Sequence, residues 1–464
     1  MSLNDLAIDV PDAAAAAAAA ELRAALGDRV LFPGDPGFDA ARTPWNVAVD
    51  QYPFAVALPE SADDVVDIVR AATLAGLRVA PQSTGHAAAA MAGADLSRTV
   101  LLSLRGLRGV QVDPDARTAR VLGGSVWSDV LESAGPHGLT ALHGSAADVS
   151  VVGYLLSGGL SFYARKRGLG VNCVRAVHVV TADGRLVHAS AEENPDLFWA
   201  LRGGSGAFGV VVSIEIELLP IADVFAGMLL WDASRAAEVT HAWAEWTRSA
   251  PESATTTLRI MNFPPLPQLP PFLSGRSVVV VDGAFEETDA AASALLEPLR
   301  ALQPEMDTFA RIPAPALVAV HMDPPEPTPA VTDHVMLAAF TTEAVDAFVA
   351  VGRTPGLFVQ EIRHVGGAAS RPSPDGGAVS SLVGEYVVHS IAMVPVPEAA
   401  PVASAAARAG VAAMEPWRID AVALTFVDAP DVDLTGAFGQ AWARLRQLKL
   451  QFDPADLFAA ARPV

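Results

Sequence analysis

At 464 residues and 51% apolar content, the chain is long enough for two domains, or for one domain interrupted by another. With 31 Lys plus Arg against 52 Asp plus Glu, the formal charge of −21 argues against nucleic acid and anionic membranes as main partners, because both repel such a surface. One cysteine, Cys173, excludes an internal disulfide framework and a cysteine-rich metal site, and a reducing cytoplasm is the expected compartment.

The alanine tract at 13–20 lacks the basic flank of a signal peptide and reads as a helix capped by Asp12. No stretch reaches the roughly 18 uninterrupted apolar residues of a membrane span. "SADDVVDIVRAATLAG" (61–76) has a serine cap, early acids and an apolar stripe, the pattern of an amphipathic helix closed by glycine. "LRVAP" and "TVLLSL" come next as strands, and "GVQVDPDARTARVLGG" as two strands around an Asp-Pro-Asp turn. "SVWSDVLESAGPHG" reads as a capped helix, and "AVHVVTADGRLVHAS" as a hairpin turning at Ala182-Asp183-Gly184. Beyond about Pro220 the prolines cluster in "MNFPPLPQLPPFLSG" and "HMDPPEPTPA", with β-rich and helical runs between them, the texture of an α+β second domain with long loops. "GAFGQAWARLRQLKLQFDPADLF" is expected to be one amphipathic helix ending before Pro454.

Gly204-x-Gly206-x-x-Gly209 spells a dinucleotide fingerprint, yet "VVVSIEIEL" after it is a strand where the fingerprint needs a helix. No P-loop, zincin helix or G-x-S-x-G elbow is present, and the ten histidines show no metal spacing. Two loops of small residues remain, "PQSTGHAAA" and "HGSAADVSVVGYLLSGGLSFYARKRGLG". Successive small residues let main-chain N–H groups converge on an anion, so the pair could enclose a diphosphate without Lys or Arg; two tight turns are the plain alternative.

These loops, with the block from Val152 to Leu218, "GGAASR" at 366–371 and "LKLQFDPADLF", resemble the FAD-linked oxidases of the vanillyl-alcohol oxidase and berberine bridge enzyme-like superfamily over nearly the whole chain. The resemblance implies an α+β fold: a two-subdomain PCMH-type FAD-binding domain at 1–220 (core about 48–220), a substrate domain of antiparallel sheet plus helices inserted at 221–424, and a C-terminal segment, 425–464, returning to the first domain. It implies FAD held by Gln82, Ser83, Thr84, Gly85, His86, Ala87 and Met91 on the first loop. Gly144, Ser145, Val149, Gly153, Ser157, Gly158, Gly159, Gly209 and Val210 would complete that site. His86 matches the histidine that carries the flavin 8α-methyl group. Ala146 stands where bicovalent members have a cysteine, so a single covalent link through His86 is expected. Phe438-Gly439-Gln440-Ala441 replaces a Tyr-Gly-x-Asn pattern, and Gln82 an arginine.

The implied activity is an FAD-dependent oxidase passing hydride from a small organic substrate or secondary metabolite to flavin N5 and then to O2. Oxidative cyclisation in natural-product biosynthesis and a catalytically decayed flavin carrier are the alternatives. Along the inserted sheet, alternation puts Glu361 and Arg363 on one face of "FVQEIRHVGG", and Glu385 and His389 opposite Tyr386 in "GEYVVHSIAM". Glu361, His389 and Tyr386 are the candidate bases, with Glu361 preferred. Apolar, proline-rich loops with few aromatics point away from oligosaccharides. A monomer or homodimer with no metal is expected.

Overall fold

In a computed structural model, residues 13–464 are described. They form three sheets with helices packed between and around them. The first sheet orders Val30–Leu31, Ala55–Ala57, Thr99–Ser103 and Arg78–Gln82, the last three strands running parallel. The helix Ala62–Leu74 closes over it, burying Val65, Ile68, Val69 and Ala72 against Val79, Val100 and Leu102. It begins where the sequence places it. Ser61 Oγ accepts from Asp64 N–H while the Asp64 carboxylate accepts from Ser61 N–H, a reciprocal cap worth about 1 kcal/mol. The tract at 13–20 falls within the helix Ala13–Leu26, and its expected cap, Asp12, lies outside the described residues.

The second sheet is antiparallel, ordered Val110–Asp113, Thr118–Leu122, Val210–Glu217, Val174–Val180 and Leu186–Ser190. Both expected hairpins are present, turning at Pro114–Arg117 and around Gly184. Gly209 is followed by the strand Val210–Glu217 and preceded by the helix Pro195–Gly204, the reverse of a dinucleotide fingerprint. At φ +154°, a Cβ on Gly209 would meet the Val179 side chain at 2.5 Å and Val180 O at 2.7 Å, so strand packing accounts for this glycine.

The third sheet is the largest, eight antiparallel strands between Asp223 and Met393. Its central order is Asp223–Asp232, Ser277–Phe285, Ala254–Asn262, Val359–His364, Tyr386–Met393, Ala330–Leu337. The helices Ala236–Thr247, Asp289–Arg300 and Thr342–Gly352 bury one face of it against Leu258, Val279, Ile362, Tyr386 and Val388. Alternation then turns Arg259, Asp282, Glu361, Arg363 and His389 to the other face.

The C-terminal helix differs from expectation. It splits into Thr435–Phe438 and Ala441–Phe452, because Gly439 takes φ +50° and ends the first turn. Beyond it the chain returns to the first sheet, where Phe458 bridges Val79 and Ala459 N–H donates to Val79 O. No helix among the described residues is long and apolar enough to cross a membrane.

Candidate functional site

The site begins at the end of the strand Arg78–Gln82, where the first glycine loop leaves the sheet. Gly85 takes φ +84°, and a Cβ there would lie 2.7 Å from Pro44, so glycine lets the loop pass beneath the segment that carries Trp45. Trp45 N–H donates to Thr84 O at 3.0 Å, and its indole stacks on the His86 imidazole with centroids 4.3 Å apart. Trp45 Nε1–H donates to Asp148 on the second loop, and His86 Nε2 lies 3.6 Å from the other Asp148 oxygen. Burial opposes ionisation of Asp148, but His86 and Trp45 hold its carboxyl below the usual range. His86 Nδ1 stands 2.7 Å from Thr84 Oγ1, while Nε2 is buried with no hydrogen-bond partner. The two loops are therefore face to face at His86.

Their main chains are open to a ligand. The N–H groups of Thr84, Gly85, His86 and Ala87 donate to no main-chain acceptor among the described residues, and neither do those of Gly144, Ser145, Ala146 and Ala147. Two runs of free N–H groups, joined at an unpartnered imidazole nitrogen, are a donor set fitted to an anionic, oxygen-rich cofactor such as FAD.

The other expected cofactor residues divide. Gln82 to Ala87 and Gly144, Ser145 and Val149 lie on the two facing loops. Ser83 anchors its loop by donating to Gly123 O at 3.0 Å. Gly144 and Gly159 are fixed by packing, since a Cβ on either would come within 3 Å of the Tyr154 ring. Gly153 lies in the helix Val151–Leu156, its N–H donating to Ser150 Oγ. Ser157 Oγ accepts from Arg462, and Gly158 takes φ +101°. Met91 packs beside Phe38 and Ala80 at the far end of the first loop. Val210 opens the strand Val210–Glu217 and is fully buried in the core packed against the first sheet.

The loop that leads into the strand Ala330–Leu337 of the large sheet meets the second glycine loop. Ser145 Oγ–H donates to Asp323 Oδ2 at 2.6 Å, and the Phe162 ring edge faces His321. Between loop and sheet lies a narrow cavity lined by Ser145, Leu160, Phe162, Thr257, Arg363 and Val365. Beneath it, Arg259, Glu361, His389 and His334 stand side by side in register across four adjacent strands.

Glu361 is buried, with Oε2 3.0 Å from His321 Nε2 and Oε1 accepting from Arg363 Nε–H. Burial would raise its pKa, but Arg363 and His321 hold it well below the carboxylate range. That corrects the preference for Glu361 as the base: a carboxylate with both oxygens engaged and firmly ionised is a weak proton acceptor. His389 differs in having a free nitrogen. Burial keeps its ring neutral, with the pKa down to about 4, and its Nδ1, 3.9 Å from Glu361, has no hydrogen-bond partner. Tyr386 does not join them; it faces the helices, its hydroxyl 2.7 Å from Thr247 Oγ1 and its ring among Trp243, Phe340 and His364. Glu385 lies before the strand against Gly366, also apart from His389. Cys173 is a buried thiol with its pKa pushed up by burial to about 12.

Sequence reasoning missed Trp45, Asp148, Arg259, Asp282, His321 and Asp323. Arg259 and Asp282 left a signal: each is the one charge inside an apolar strand, "TLRIMN" and "SVVVVDGAF".

Comparison with known proteins agrees with this geometry. Residues 53–190 match the family model described as FAD binding domain. (R)-6-hydroxynicotine oxidase from Paenarthrobacter nicotinovorans is 34% identical over 206 residues, 44% of this chain and 44% of the relative. Glucooligosaccharide oxidase from Sarocladium strictum is 34% identical over 182 residues, 39% of this chain and 36% of the relative. These matches span under half the length of the curated relatives. Over whole chains, the fold is shared with wild-type BBE-like 1 from Physcomitrella patens, with a TM-score of 0.83 at 18% identity, covering 96% of this chain and 98% of that one. It is shared with 6-hydroxy-D-nicotine oxidase from Arthrobacter nicotinovorans, at 0.81 and 22%, covering 93% and 96%.

Proposed function

We propose that this chain, which carries an FAD-binding domain and the fold of the berberine bridge enzyme-like flavoproteins, is an oxidase that dehydrogenates a small organic substrate held between the second glycine loop and the large sheet. The observation that carries the reading is the row Glu361–His389 on the sheet face tied to that loop through Ser145 and Asp323. When bound, FAD supplies the two-electron acceptor and the route to oxygen.

The chain's own residues do the rest. His389, neutral and with a free Nδ1, takes the proton from the substrate's O–H or N–H as hydride leaves. Glu361, fixed and anionic 3.9 Å away, stabilises the imidazolium that forms. Arg363, stacked over Phe426 with its guanidinium held by Glu361, lines the cavity and orients a substrate oxygen. Leu160, Phe162 and Val365 exclude water and favour a compact apolar body over an extended sugar chain. On the first loop, His86 is the proposed single covalent attachment point, with Ala146 opposite in place of a second one.

Purified protein in air with a panel of aromatic alcohols, amines and phenols tests the reading. Hydrogen peroxide formed in proportion to substrate consumed supports it, and no peroxide across the panel with intact flavin argues against it.

A further inference from the structure

His321 lies in the proline-rich stretch "HMDPPEPTPA", yet only 2% of its side chain is exposed. Its ring is clamped from both ends: Nδ1 is 3.0 Å from Asp282 Oδ1, and Nε2 is 3.0 Å from Glu361 Oε2. An ionised carboxylate only accepts, so a ring facing one at each nitrogen must donate from both, and a neutral imidazole has a single N–H. We infer that His321 is a positioning residue, a permanent imidazolium locked between Asp282 and Glu361, whose charge keeps Glu361 ionised and fixed beside His389.

The surrounding charges fit this state. Arg259 donates to Asp282 Oδ2 and to His321 O, both at 2.7 Å, which sets the loop and the far carboxylate. Asp323 lies 4.0 Å from Nε2; Arg363 Nη2 lies 3.2 Å from the same nitrogen, a contact of donor with donor, offset because Arg363 Nε–H and His321 Nε2–H both donate to Glu361. His389 completes the set facing Glu361 and is held neutral. The buried Asp282 and Glu361 are matched by Arg259 and Arg363, and the half-buried Asp323 adds the negative charge that the imidazolium balances. Burial, Arg259 and Arg363 push the His321 pKa down and Asp282 and Asp323 push it up, and the net direction is upward.

The catalytic consequence rests on the proposed function; the protonation state does not, and it is read without substrate. In the holoprotein labelled with 15N-histidine, ring-nitrogen spectra at pH 8 should show one ring with both nitrogens at imidazolium positions. That signal should vanish in His321→Gln and become neutral in Asp282→Asn. If Gln at 321 prevents folding, Glu361→Gln, which removes the carboxylate at Nε2, should turn the same signal neutral. No imidazolium at pH 8 in the wild-type protein, or one unaffected by Asp282→Asn, overturns the inference. An imidazolium present in a protein that forms no peroxide leaves the inference standing and counts against the oxidase reading alone.

Discussion

Ser145 donates its hydroxyl to Asp323 at 2.6 Å, and with that bond the loop proposed to hold the flavin is tied to the loop whose His321 meets Glu361 on the sheet proposed to hold the substrate. A hydrogen bond to a charged acceptor contributes roughly 1.5–3 kcal/mol, less here because Asp323 is 30% exposed. Ser145→Ala and Asp323→Ala should each cost about 1 kcal/mol in urea unfolding. Their combination should cost less than the sum of the two, because both remove the same bond.

The stacked pair of Trp45 and His86, with Asp148 beneath them, positions the imidazole for attachment. In the wild-type protein, flavin should stay in the acid-precipitated pellet; in His86→Ala it should pass to the supernatant. Trp45→Ala and Asp148→Asn should retain His86 but give a mixture, with the attached fraction rising over hours when FAD is added. Complete attachment at once in both variants would show that the pair plays no part.

Four buried histidines are held neutral chiefly by burial: His143 and His389 with pKa values down to about 4, His334 and His364 down to about 3. In the unfolded chain each titrates near 6.5, so between pH 6.5 and about 4 the unfolded state binds more protons than the folded state. Stability from these groups is present above pH 6.5 and falls with pH, by up to about 1.4 kcal/mol per unit for each. Thermal melts should drop steeply across that window, and His143→Asn should flatten the slope.

Asp428 has the opposite sign. Burial lifts its carboxyl to about 7, against the pull of Arg462, and Oδ1 has no hydrogen-bond partner. The folded state therefore keeps a proton that the unfolded carboxyl releases near 3.8, and the stability so conferred fades as pH rises through 7. Asp428→Asn should raise the melting temperature at pH 8 more than at pH 5; an equal change at both would mean that the group does not titrate there.

Local pattern carried much of the fold. The cap at Ser61, the turn at Gly184 and the strand after Gly209 each arise from chemistry within a few residues, and each formed as expected. The break at Gly439 was harder to read, because "GAFGQAWARL" keeps helical spacing through a glycine, and glycine takes a helical or a left-handed φ with equal ease. At the site, alternation correctly paired Glu361 with Arg363 and turned Tyr386 away from His389. It could not reveal that Glu361 has no free oxygen, because His321 arrives from a loop 40 residues earlier. Trp45 and Asp148 were invisible for the same reason: 103 residues apart in the chain, they meet at His86 only through tertiary packing.

In the proposed reaction a flavin-bearing chain uses His389 to take the proton and Glu361 to support it. Rapid mixing of the anaerobic holoprotein with a substrate found in the peroxide panel, monitored by flavin absorbance, tests this most directly. Bleaching should be fast in the wild type and about a hundredfold slower or more in His389→Ala, the range for loss of a general base. Equal bleaching rates in the two proteins would contradict it.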